Sequence, residues 1–120
     1  MIPSRIMIVE DEWLIAEQLE GWLVDFGFTV VGPARNLQEA LSLLETDSPD
    51  AAILDVNLGG AKSYAIAHVL AERGKGFVFA SGYLRSDLPT EFAGVQLISK
   101  PVQSHHLQAA LAKILPKQRH

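Results

Sequence analysis

The 120-residue sequence contains no cysteine, which excludes a disulfide scaffold and any thiolate metal centre. It has no apolar run near the roughly 20 residues of a spanning helix. Met1-Ile2-Pro3-Ser4-Arg5 leads into no long apolar core of the kind a secretion signal carries. The expectation is a cytoplasmic protein that does not engage a membrane. The formal charge of −4 comes from 14 acids and 10 bases that form no block, so neither a nucleic-acid footprint nor a basic membrane surface is present. Internal repeats and low-complexity segments are also absent. Only Pro116-Lys117-Gln118-Arg119-His120 reads as a frayed tail or linker, so residues 1–120 are expected to form a single domain. A chain of this length buries roughly two-thirds of its unfolded surface without staples.

What the sequence does have is a regular alternation of short apolar runs with amphipathic stretches. Arg5-Ile6-Met7-Ile8-Val9 reads as a buried strand that runs straight into Glu10-Asp11-Glu12. Ile15, Leu19, Trp22, Leu23 and Phe26 then recur at helical spacing, with acids in the first turn and Gly27 as the stop. Phe28-Thr29-Val30-Val31 is a second strand, closed by Gly32-Pro33. Asn36 caps a helix carrying Leu37, Ala40, Leu41 and Leu44, which Ser48-Pro49-Asp50 breaks. Ala51-Ala52-Ile53-Leu54 is a third strand, buried on both faces, ending in Asp55 before the Gly59-Gly60 turn. Tyr64, Ile66, Val69 and Leu70 mark a third helix ending at Arg73-Gly74, and Phe77-Val78-Phe79-Ala80 a fourth strand leading into Ser81-Gly82-Tyr83. Ser86 to Phe92 has room for about two helical turns, with Pro89 tolerable in the first, and is expected to be short and mobile. Val95-Gln96-Leu97-Ile98 is a fifth strand, stopped at Ser99-Lys100-Pro101, and Leu107, Ala110, Leu111, Ile114 and Leu115 stripe a last helix.

Strands alternating with helical segments in this way predict an α/β fold: a doubly wound, five-stranded parallel sheet with right-handed crossovers, of flavodoxin-like order 2-1-3-4-5. In such a sheet every strand's carboxyl end lies on one edge. Taken alone, Asp55 is equally a turn or capping aspartate. The polar residues ending the other strands, however, must converge on it: Glu10 and Asp11 after the first, Ser81 after the fourth and Lys100 after the fifth.

Three carboxylates about 4–5 Å apart repel by roughly 3–4 kcal/mol per pair at an effective dielectric of 20. A hard divalent cation resolves that conflict. Oxygen donors, with no cysteine and no histidine near the cluster, point to Mg²⁺ or Mn²⁺ rather than zinc. A metal held by few protein ligands keeps waters that a phosphate oxygen can replace, which suits phosphoryl chemistry. Asp55 is then the carboxylate placed to form an acyl phosphate. Lys100 supplies a compact cation and Ser81 a hydroxyl donor toward phosphate oxygens, and Gly82 and Gly59-Gly60 leave backbone room for the group.

In this order and strand context, Ile8-Val9-Glu10-Asp11-Glu12, Ile53-Leu54-Asp55-Val56-Asn57-Leu58, Phe79-Ala80-Ser81-Gly82-Tyr83 and Ser99-Lys100-Pro101 resemble the motifs of two-component response regulator receiver domains, over nearly the whole chain. The resemblance implies that Asp55 is the phosphoacceptor and that Glu10, Asp11 and Asp55 hold the cation with the backbone carbonyl of Asn57. It also makes Ser81 the switch hydroxyl, Lys100 the phosphate-binding lysine and the Lys100–Pro101 peptide cis. The implied partner is a sensor histidine kinase or a histidine phosphotransfer protein, docking near the first helix and the site loops, with monomer and weak dimer both open. Family members usually carry an aromatic three residues before the lysine, where this chain has Leu97. That feature and Phe77 to Tyr83 are similar to a subgroup marked by a Phe-Ala-Thr-Gly stretch, with Ser81 in the threonine's place. Activation is then expected to be read through Ser86–Phe92 rather than a rotating ring, and Tyr83 to overhang the site and restrict water attack.

Competing readings are weaker. An aspartate-dependent phosphatase of the haloacid dehalogenase type usually has a second acid two residues after its nucleophile; here that position is Asn57, which cannot act as a general acid. A pseudo-receiver that only binds a partner has no need of the intact acid and lysine set. Gly59-Gly60-Ala61-Lys62-Ser63 resembles a P-loop but lacks the glycine before the lysine. Trp13 is expected at the surface and Trp22 in the core. The adjacent His105 and His106 are expected on different sides of the last helix.

Overall fold

The computed structural model describes residues 2–116. Strands β1 (Arg5–Val9), β2 (Thr29–Ala34), β3 (Ala51–Asp55), β4 (Gly76–Ser81) and β5 (Leu97–Ser99) form one sheet in the order β2-β1-β3-β4-β5, with every pairing parallel. The apolar strand runs dictate this. Successive side chains alternate across the sheet, so burying both faces requires both sets to be apolar. Ile6, Ile8, Ile53 and Val78 pack on one face against Leu19 and Leu23 of α1 (Trp13–Asp25) and Leu107 and Leu111 of α4 (Ser104–Ile114). Met7, Val9, Leu54 and Phe79 pack on the other, against α2 (Leu37–Thr46) and α3 (Tyr64–Glu72).

Helix α1 begins at Trp13, directly after Glu12, so its first turn carries no acid, contrary to the expectation from the sequence. Glu10, Asp11 and Glu12 instead stand between strand and helix. The helix stops at Gly27, whose φ of +92° suits glycine. Asn36 caps α2 by accepting the Glu39 amide at 2.8 Å. Trp13 is 65% exposed and Trp22 packs against the core.

The sequence reading needs further corrections, beginning with the last strand, which covers Leu97–Ser99 rather than Val95–Ile98. Strand β2 is not closed by Gly32-Pro33 but runs through them to Ala34, with a register irregularity opposite Met7 and Val9. Gly32 has φ +91°, and a Cβ there would lie 2.8 Å from the Ala34 nitrogen and 3.2 Å from the Ile8 carbonyl oxygen, so only glycine fits. The Ser86–Phe92 region is not a two-turn helix but two 3₁₀ turns, Arg85–Asp87 and Thr90–Phe92. Leu88 and Pro89 separate them in extended conformation, because proline at 89 has no N–H to continue the first turn. The His105 and His106 rings do not diverge; their centroids are 4.1 Å apart. Of the expected tail, residues 117–120 lie outside the described residues.

Candidate functional site

The parallel register brings the strand ends together. β3 lies between β1 and β4, with Val9 beside Leu54 and Asp55 beside Ala80, so Glu10, Asp55 and Ser81 terminate three adjacent strands. All three are buried: Glu10 is 1% exposed, Ser81 2% and Asp55 6%. Asp11 is exposed and leaves the edge open to solvent. One carboxylate oxygen from each of Glu10, Asp11 and Asp55 lies within 4.8 Å of the others.

Lys100 closes the group from the end of β5. The Ser81 carbonyl accepts its backbone amide at 3.0 Å, and its ammonium reaches both buried acids, 3.1 Å from Asp55 Oδ2 and 2.9 Å from Glu10 Oε1. The Asp55 contact is a directed hydrogen bond. The Glu10 contact is the shorter of the two but less well aligned, and Oε1 has no other partner. The Lys100–Pro101 peptide is cis, as expected. Asp55 Oδ1 accepts the Asn57 amide at 3.3 Å and Ser81 Oγ the Tyr83 amide at 3.1 Å, so each side chain is tied to the loop that follows it.

These surroundings set the charges. Burial pushes the Glu10 carboxyl up to about 7, with the nearby Asp55 charge adding to it, against Lys100 and the Glu12 amide. Burial works to lower the Lys100 value, but its two acid partners win and hold it above that of an ordinary lysine. Three clustered carboxylates share the single Lys100 ammonium, and that excess of negative charge fits a bound cation. The all-oxygen donor set, open on the Asp11 side, fits a hard ion that keeps several waters.

A pH dependence follows. Folded Glu10 binds its proton more tightly than the unfolded carboxyl at 4.5, so in metal-free protein stability falls as pH rises from about 4.5 to about 7. Melts in EDTA across that window, wild type against Glu10→Gln, check it. The glutamine variant should lose this component of the slope, and identical profiles would show that Glu10 is not perturbed.

Residues 6–112 match the family model described as the response regulator receiver domain. The chain belongs to that family. SdrG from Sphingomonas melonis Fr1 is 41% identical, and its solution structure superimposes with a TM-score of 0.83, covering 93% of this chain and 96% of that one. The BeF3-activated conformation of SdrG is also similar, with 40% identity and a TM-score of 0.81 over 96% and 98% of the two chains. Among curated proteins, the positive alginate biosynthesis regulatory protein of Pseudomonas aeruginosa is 32% identical over 114 residues, covering 91% of this chain but 46% of its own length. The chain spans about half or less of the curated relatives it matches.

Within the receiver fold, Glu10, Asp11, Asp55, Ser81 and Lys100 reach the same edge, and Asn57 meets it through its amide on Asp55 Oδ1. Sequence reasoning passed over Lys62. A two-residue antiparallel ribbon, Asn57–Leu58 with Ala61–Lys62, folds back after β3, and the Lys62 ammonium hydrogen-bonds the Tyr83 hydroxyl while lying 4.2 Å from its ring centroid. No periodicity announces a ribbon this short. Its one signal was Gly59-Gly60, whose positive φ values turn the chain back on itself.

Proposed function

We propose that this receiver domain takes a phosphoryl group onto Asp55 in a Mg²⁺-dependent reaction, from a histidine kinase or a histidine phosphotransfer protein. The observation carrying this reading is the buried Asp55 carboxylate at the end of the central strand, held between Lys100 and the acids of β1. An Asp55 oxygen attacks phosphorus, the P–N bond of the donor breaks, and its electron pair leaves with the imidazole nitrogen. Glu10, Asp11 and Asp55, with the Asn57 carbonyl, would hold Mg²⁺ or Mn²⁺, which when bound neutralises charge on the phosphoryl oxygens. Lys100 supplies a fixed cation to the same oxygens, and Ser81 a hydroxyl that donates to the product and so couples charging to conformation.

The reading is of a signalling module in the cytoplasm; among the described residues no helix is long and apolar enough to cross a membrane. Intact mass after incubation with phosphoramidate tests it. The wild type should gain a single phosphoryl group with Mg²⁺ and none with EDTA. No gain under either condition, with the fold intact, counts for a pseudo-receiver.

A further inference from the structure

We propose that Lys62 and Tyr83 form a latch across the mouth of the Asp55 site which holds the uncharged conformation, so that these two positioning residues set how readily Asp55 is charged. The inference rests on the phosphoacceptor reading and adds to it a contact between the two loops that flank the acceptor.

Each half of the latch begins at a residue already tied to the site. On one side, Asn57 donates its amide to Asp55 Oδ1 and opens the ribbon that ends in Lys62. The ribbon's tip lies beside the acidic cluster, since a Cβ at Gly59 would stand 4.0 Å from Asp11 Oδ2. On the other side, Tyr83 donates its amide to Ser81 Oγ. The Lys62 ammonium joins the two at the phenol oxygen, beyond the ring's hydroxyl-bearing edge and 4.2 Å from its centroid.

Lys62 is exposed and, among the described residues, has no carboxylate within ion-pair distance, so Tyr83 is its partner rather than one of several. The contact bridges residues 21 apart in sequence, in loops that no strand pairing joins.

This geometry couples the latch to charging. Ser81 Oγ accepts from Tyr83 in the uncharged protein; turning to donate to a phosphoryl oxygen on Asp55 draws it off the Tyr83 amide. The loop carrying Tyr83 then loses its hydrogen bond to Ser81, while its ring still packs on the core and the Lys62 contact still joins it to the ribbon. A contact made in only one of two conformations shifts their balance by its own strength. Removing it favours the charged form.

The test is the rate of charging by phosphoramidate in Mg²⁺, followed by intact mass, for wild type, Lys62→Met, Tyr83→Phe, the double variant and Lys62→Arg. Lys62→Met is expected to speed charging by about threefold, the size of an exposed contact of this kind. Tyr83→Phe, which keeps the ring but loses the hydroxyl that Lys62 bonds, should give most of that gain. The double variant should be no faster than Lys62→Met, because both changes remove one interaction. Lys62→Arg should stay near the wild-type rate, since a guanidinium can still donate to the phenol oxygen.

Unchanged or slower charging in Lys62→Met, or additive effects in the double variant, would overturn the latch. A wild type that takes up no phosphoryl group overturns the phosphoacceptor reading itself, whereas a wild type that charges alongside indifferent variants overturns only the latch.

Discussion

Asp55→Asn should take up no phosphoryl group under conditions that charge the wild type fully, in the same Mg²⁺ and phosphoramidate incubation read by intact mass. The neutral amide has no anionic oxygen to attack phosphorus and is a weaker ligand for a hard cation than a carboxylate, so the acceptor is lost and the cation is held less tightly. The two neighbouring acids do not substitute. Glu10 is buried beside Lys100 with its carboxyl pushed up to about 7, and Asp11 is exposed at the edge, away from the Lys100 ammonium that Asp55 engages.

The variant should still fold. The change is nearly isosteric, Asn57 can still donate to the remaining amide oxygen, and one of three clustered negative charges is gone, which lowers their mutual repulsion. Thermal melts in EDTA should therefore place it no lower than the wild type. A phosphoryl addition that survives in this variant would move the acceptor to Asp11 or Glu10; an unfolded variant would show that the Lys100–Asp55 bond holds the fold.

The site was legible in the sequence for a topological reason. Once Val9, Leu54, Ala80 and Ile98 belong to neighbouring parallel strands, the residues after them share an edge whatever their separation along the chain. Glu10, Asp55, Ser81 and Lys100 needed no pairwise signal of their own. The parts that could not be read depend on conformations without a period. β2 continues past Gly32-Pro33, where Gly32 takes a positive φ, whereas glycine followed by proline ordinarily ends a strand. The His105 and His106 rings approach through side-chain rotation, which helical spacing does not encode. The same holds for Lys62 and Tyr83, brought together by a ribbon only two residues long on each side.

The segment between β4 and β5 was legible as weak but not in form, and its anchoring gives the second large effect. Its hydrogen bonds are almost all internal: Asp87 to Leu84, Leu88 to Arg85, Phe92 to Pro89, and the Arg85 guanidinium to the Phe92 carbonyl at 3.2 Å. The exposed His68–Glu91 pair adds little across the gap to α3. Attachment of residues 84–93 to the body therefore rests on Leu88 and above all Phe92, which is 4% exposed and has its ring centroid 5.3 Å from that of Phe79, 5.4 Å from that of Tyr64 and 6.3 Å from that of Phe77.

A Phe→Ala change in a packed core costs about 3–5 kcal/mol. In Phe92→Ala the segment can detach before the sheet unfolds, so the melting temperature should fall by less than that loss implies, while amides 84–93 lose their hydrogen-exchange protection and those of β1 and β3 keep theirs. If activation is read through this segment, with Leu97 in place of a rotating aromatic, the amide shifts that BeF3 induces there in the wild type should vanish in Phe92→Ala although Asp55 still charges. A uniform loss of protection across the sheet would make the segment part of one cooperative core. Wild-type amides at 84–93 that stay put on BeF3 binding would place the switch elsewhere.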